Sequence, residues 1–178
     1  TITNPNTIIG AYAFANGEDL VEINLPQNSG LIIKEHAFNY TTSLQVVNNL
    51  NKVLEVGEYA FANSTIDNVE VAAGAVYGEG VFFRSTLTNI TIGANAEFGL
   101  GSFQECSYLT TVNMPQADVK FGRGCFAYAI QLANIDLSYV TEIPDEAFYE
   151  CTSLEEISHI DDLQRVSKVR FVGTVLKH

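Results

Sequence analysis

Phenylalanine returns along this chain at a nearly fixed interval. It stands at Phe14, Phe38, Phe61, Phe82, Phe103, Phe126, Phe148 and Phe171, with spacings of 24, 23, 21, 21, 23, 22 and 23 residues. Five positions before each lies a second large apolar residue: Ile9, Ile33, Val56, Tyr77, Phe98, Phe121, Ile143 and Val166. Glycine follows it at Gly10, Gly57, Gly78, Gly99 and Gly122, and the residue just before phenylalanine is usually small. Such a period marks a solenoid, in which no repeat can bury its apolar face alone and neighbours complete the core.

A second apolar set follows each phenylalanine: Leu20/Ile23/Leu25, Leu44/Val47, Ile66/Val69/Val71, Leu87/Ile90/Ile92, Leu109/Val112/Met114, Leu132/Ile135/Leu137 and Leu154/Ile157. The i, i+3, i+5 spacing ends in an alternation that puts two apolar side chains on one side of a strand. β-branched residues dominate these sites, which favours strand over helix. Each repeat therefore predicts one short strand, and stacked repeats predict a parallel sheet. The phenylalanine segment is too short for a stable helix of its own. A single helical or 3₁₀ turn is expected there, with the glycine near its start permitting the turn. Asn49 falls where the last strand apolar residue belongs, so the register of the second repeat is expected to slip to Leu50.

The stretches LVEINLP (Leu20–Pro26), VGEYAF (Val56–Phe61) and IPDEAFYECTSLEEI (Ile143–Ile157) carry the pattern L-x-x-I-x-L-P…I-G-x-x-A-F-x-x-C. The chain thereby resembles BspA-type leucine-rich repeats over nearly its whole length. The resemblance implies one leucine-rich repeat domain over 1–178, a curved right-handed solenoid of about eight repeats of 21–24 residues. A parallel sheet would line its concave side, with short 3₁₀ or helical turns opposite. It also implies a secreted or cell-surface protein that adheres to a protein partner, such as a host extracellular protein or one on another cell. Solenoid ends normally carry a polar cap. Neither end has one, so the chain reads as a fragment of a longer protein, or as one whose ends associate with another copy.

Two strand columns face away from the core. The first is Glu22, Val46, Asn68, Asn89, Thr111, Asn134 and Glu156; the second is Asn24, Asn48, Glu70, Thr91, Asn113, Asp136 and Ser158. Six of these 14 are asparagine, four are acidic and none is Lys or Arg, although the chain has only 15 asparagines in all. Amides offer donors and acceptors together. Asn24, Asn48, Asn68, Glu70, Asn89, Thr91, Thr111, Asn113, Asn134 and Asp136 are therefore the expected binding surface for a protein partner. The competing expectation is a solvated face whose amides satisfy one another in ladders. The matching alternative function is a structural spacer or self-associating array without a dedicated ligand. These columns hold no aromatic platform for a sugar.

Charge narrows the partners. Nine Lys+Arg against 21 Asp+Glu give a net charge of −12, and every acid lies at or before Asp162. Such a body should repel nucleic acid and anionic membrane, and no run is apolar enough to insert into a bilayer. Cys106 and Cys151 share a column two repeats apart, about 10 Å at the usual strand spacing, beyond the roughly 7 Å that a disulfide spans. With Cys125 in a small-residue slot, all three are expected to be free and buried. His36, His159 and His178 fall in different columns. No nucleophile–base pair, metal-ligand spacing or phosphate-binding loop is present, so no enzyme activity, metal or cofactor is expected.

Overall fold

Each turn of the chain contributes strands to two faces rather than one. The structure, a computed structural model, describes residues 1–4, 6–27, 30–114 and 118–160, together with the backbone of 165–166. In chain order the strands are β1 (Ile8–Ile9), β2 (Glu22–Asn24), β3 (Ile32–Ile33), β4 (Val46–Asn48) and β5 (Glu55–Val56). They continue as β6 (Asn68–Val71), β7 (Val76–Tyr77), β8 (Asn89–Ile92), β9 (Glu97–Phe98) and β10 (Thr111–Asn113). The last five are β11 (Lys120–Phe121), β12 (Asn134–Asp136), β13 (Glu142–Ile143), β14 (Glu156–Ser158) and β15 (Arg165–Val166). All pairings are parallel, between one coil and the next, and the result is a β-solenoid of about seven turns with almost no helix.

The expected strand of each repeat is the even-numbered one. Its middle residue points inward (Ile23, Val69, Ile90 and Ile135 are buried), so the flanking asparagines and acids face out. The odd-numbered strands are new. The apolar residue five before phenylalanine closes a two-residue strand, and β1-β3-β5-β7-β9-β11 form a six-stranded parallel sheet. Ile33, Val56, Tyr77, Phe98 and Ile143 thus point into the core from a second wall.

The phenylalanine segment is not helical; the 3₁₀ turn Leu50–Lys52 lies after β4 and outside that segment. It is instead a chain of tight turns whose N–H groups alternate in direction. In the first coil, Ala13 N–H and Ala15 N–H donate within the coil to Gly10 O and Tyr12 O. Tyr12, Phe14 and Asn16 N–H donate to the next coil, at Glu35 O, Ala37 O and Asn39 O. Bonding both ways requires a left-handed residue two before and two after each phenylalanine. The first column is Tyr12, His36, Tyr59, Gly80, Gly101, Gly124 and Glu146; the second is Asn16, Tyr40, Asn63, Arg84, Glu105, Tyr128 and Glu150. A side chain in that conformation costs about 1–2 kcal/mol, which the extra inter-coil bonds offset. Glu150→Gly, at φ 55°, is therefore expected to raise stability by about 0.5–1 kcal/mol, less than the strain because glycine also loosens the unfolded chain. Thermal melts check this, with Glu150→Ala as the comparison that keeps the strain.

Phenylalanines form the spine between these walls. From Phe14 to Phe148 successive rings stack at 5.1, 5.1, 5.8, 5.6, 5.2 and 5.6 Å, close to parallel throughout. Those separations sit just above the ~4.8 Å spacing of hydrogen-bonded strands. Phe171 lies outside the described residues. Leu50 is buried as expected, but the strand register does not slip: Val46, Val47 and Asn48 pair with Glu22, Ile23 and Asn24, and Leu50 reaches the core from the 3₁₀ turn. Asn49 turns left-handed (φ 65°) and donates from Nδ2 to Leu25 O at 2.7 Å.

Glycine after the odd strands serves a different purpose from the expected turn. At Gly57, Gly78, Gly99 and Gly122 φ is not positive, yet a Cβ would sit 2.4–2.7 Å from backbone atoms of the preceding coil. These residues let coils approach. Lys34 and Pro144 occupy the same column, so the close approach belongs to the middle coils.

Candidate recognition surface

Residues one apart from the inward-facing strand position necessarily face solvent, and all ten expected site residues do lie on the outward side of the even strands. Register brings them together in pairs: Asn24 beside Asn48, Asn68 beside Asn89, Glu70 beside Thr91, Thr91 beside Asn113 and Thr111 beside Asn89. Asn134 and Asp136 stand beside Glu156 and Ser158.

Part of the face satisfies itself. Asn48 Nδ2 donates to Glu22 Oε1 at 2.6 Å and to Asn24 Oδ1 at 2.8 Å. Asn89 Nδ2 donates to Asn68 Oδ1 at 2.9 Å, and Asn68 Nδ2 to Asp67 Oδ2 at 2.7 Å. Ladders therefore engage the amides of Asn24, Asn48, Asn68 and Asn89, the donors of the last three included. Asn113 and Asn134 differ: both are exposed, and among the described residues neither side chain has a hydrogen-bond partner. Asp136 accepts from the Ser138 hydroxyl and amide and lies 2.8 Å from His159 Nδ1. The Ser138 bonds first, then His159, hold its carboxyl below the usual range.

The face is electrostatically one-sided because neither of its two strand columns carries a base, and four bases are paired elsewhere. Lys34, Arg84, Lys120 and Arg123 each pair with a glutamate one coil away, Glu55, Glu105, Glu97 and Glu146. All four pairs flank the odd strands or the turns, and all are exposed, so each adds little stability. On the turn side Tyr12, His36 and Tyr59 stack at 4.8 and 5.4 Å. Tyr59 O–H donates to Glu79 Oε1 at 2.6 Å, which with burial pushes its phenol up to about 12. These rings cover turn backbone, and their left-handed conformation explains their position better than a ligand does.

The cysteines are free and buried. Cys106 Sγ donates to Phe82 O and Cys151 Sγ to Phe126 O, each at 3.0 Å, tying one coil to the carbonyl of the coil before. Thr41 and Ser64 hydroxyls, in the same column, instead bond the phenylalanine carbonyl of their own coil. Burial raises the Cys106 and Cys151 thiols to about 12, so thiolate chemistry is shut off. Among the described residues no group of three or more His, Cys, Asp or Glu gathers around a common point, and no helix is long and apolar enough to cross a membrane.

One feature of this face had no forewarning in the strand columns. The even-strand sheet is broken: β2-β4, β6-β8-β10 and β12-β14 are separate ladders. Between β4 and β6 the break opens into a groove of about 700 Å³, lined among others by Val47, Asn48, Thr65, Asp67, Asn68 and Glu70. Asn49 was the visible cue, since a left-handed residue and a 3₁₀ turn in place of the strand's end push the coil aside.

The chain resembles solved solenoids. It aligns with a leucine-rich repeat protein from Bacteroides ovatus at 25% identity and a TM-score of 0.64, covering 89% of this chain and 48% of that one. A leucine rich cell surface protein from Faecalibacterium prausnitzii aligns at 18% identity and a TM-score of 0.48, with coverages of 93% and 60%. The chain thus spans about half the length of the first. None of the curated proteins matches it. The model of the BspA type leucine rich repeat region matches residues 7–129 and 76–178, with 6 copies. With that match over nearly its full length, the chain belongs to the BspA-type leucine-rich repeat family.

Proposed function

We propose that this chain is a non-enzymatic recognition and adhesion module of a secreted or surface-attached protein, binding a protein partner through the asparagine-rich face of its even strands. BspA-type repeats are typical of surface and adhesion proteins, and leucine-rich solenoids generally serve as recognition scaffolds. The observation that carries the reading to this face is the unspent pair Asn113 and Asn134. Exposed amides with no partner among the described residues give a ligand donors and acceptors without breaking internal bonds. A base-free, acid-bearing surface favours a partner segment that is basic or rich in hydrogen-bonding groups.

Replacing Asn89, Asn113 and Asn134 together with alanine is expected to weaken partner binding by about 2–4 kcal/mol, at roughly 0.5–1.5 kcal/mol per hydrogen bond. Circular dichroism should stay unchanged, because these side chains face solvent. Capture from extracellular material, with this chain as bait, provides the partner for the measurement. Unaltered affinity in the triple variant would place the contact on another face.

A further inference from the structure

The groove between β4 and β6 is a missing set of strand bonds, at one of the two junctions where the even-strand ladder breaks. At four other junctions the chain entering an even strand donates to the previous coil: Gln45 N–H to Val21 O, Thr88 N–H to Asp67 O, Thr110 N–H to Thr88 O and Glu155 N–H to Ala133 O. The equivalent bonds from Asp67 and Asn68 to Gln45 O are not made. Coils two and three are nevertheless fixed on their other faces, where β3 pairs with β5 and Phe38 stacks on Phe61. The gap is therefore held open by the fold.

Bond direction shows which groups face it. Asp67 O accepts from Thr88 and Asn89 N–H, and Val71 O from Gly93 N–H, all on the coil of β8. Because direction alternates along a strand, the N–H and C=O of Asn68 and Glu70 point the opposite way, into the gap. An unpaired edge of this kind is a template for another strand. Two further observations point to a ligand. Thr65 Oγ1, in the lining, is buried and has no hydrogen-bond partner, although such groups are nearly always satisfied. The walls also have two characters: Val47, Val69 and Leu50 are apolar, while Asp67 and Glu70 are carboxylates and no base belongs to the lining. Asn51, on the 3₁₀ turn beside the groove, donates to Glu70 Oε2 at 2.9 Å, and Lys52 on that turn has an interaction of its own.

We propose that this gap binds an extended, lysine- or arginine-bearing peptide segment as an added strand. The segment's backbone pairs with the free edge of β6. Its alternate side chains divide between the apolar floor and the carboxylates of Asp67 and Glu70. The proposal rests on the reading of the even-strand face as a recognition surface, and gives that surface a ligand class.

The probe is a labelled, end-blocked hexapeptide of sequence TKVKVT, measured by fluorescence anisotropy against the whole chain. Saturable binding is expected, with no binding of the TEVEVT counterpart. The D67N/E70Q double variant, with unchanged circular dichroism, should bind about tenfold more weakly, as should a probe N-methylated at alternate amides, which cannot pair along the edge. Full affinity of the methylated probe would reduce the effect to charge attraction and overturn strand addition; full affinity of D67N/E70Q, or no binding at all, would overturn the site. The Asn89/Asn113/Asn134 triple variant should keep the probe, since its residues lie outside the groove. A chain that captures its partner but ignores the probe defeats the gap proposal alone, whereas probe binding without partner capture defeats the wider reading of the face.

Discussion

Phe103→Ala is expected to cost about 3–5 kcal/mol, the usual range for emptying a fully buried aromatic site. Against a total stability of roughly 5–15 kcal/mol this is close to unfolding the domain. Phe103 is completely buried and touches three rings: Phe82 at 5.6 Å, Phe126 at 5.2 Å and Phe98 at 5.0 Å. Removing it breaks the spine in the middle, where neither adjacent coil can collapse into the space without losing its own strand pairing. Because solenoid stability is a sum of nearest-neighbour terms, the variant should also unfold in guanidinium with a smaller m-value as the two halves uncouple. Phe14 provides the contrast. It is 36% exposed and stacks on Phe38 alone, so Phe14→Ala should cost only about 1 kcal/mol. Equal losses at the two positions would mean that the stack is not the source of stability.

Gly78→Ala is expected to destabilise by about 1–3 kcal/mol, the range for forcing extra volume into a packed interior. The added Cβ would lie 2.6 Å from Glu58 N and 2.8 Å from Gly57 C, both backbone atoms that cannot rotate away. Coils three and four must separate, lengthening the Gly78 N–H to Val56 O bond, now 2.8 Å. Gly10→Ala is the matched control, since nothing lies within 4 Å of its Cβ position. There the change should be neutral or stabilise by up to about 1 kcal/mol through the unfolded chain. Differential scanning calorimetry of the pair separates the two accounts of this column. If both alanines behaved alike, glycine would be present for its backbone freedom and not for close approach.

These two experiments also separate what was readable from what was not. The sequence by itself determined the period, the phenylalanine spine, the inward column of Ile23, Val69, Ile90 and Ile135, and therefore the outward asparagines. It also placed Leu50 inside, Cys106 and Cys151 beyond disulfide reach, and Cys125 in a buried small-residue slot. All of these follow from which side chains are apolar and how far apart they stand, because burial of apolar surface acts on side chains and is written in them. Only the tertiary structure decided the six-stranded second sheet, the left-handed turns around each phenylalanine, the approach of backbone to Gly78, and the break between β4 and β6. Each of these depends on N–H and C=O groups of one coil meeting those of the next. Every residue except proline carries the same pair of groups, so the sequence does not mark where they bond and where, as beside Asn68, they are left open.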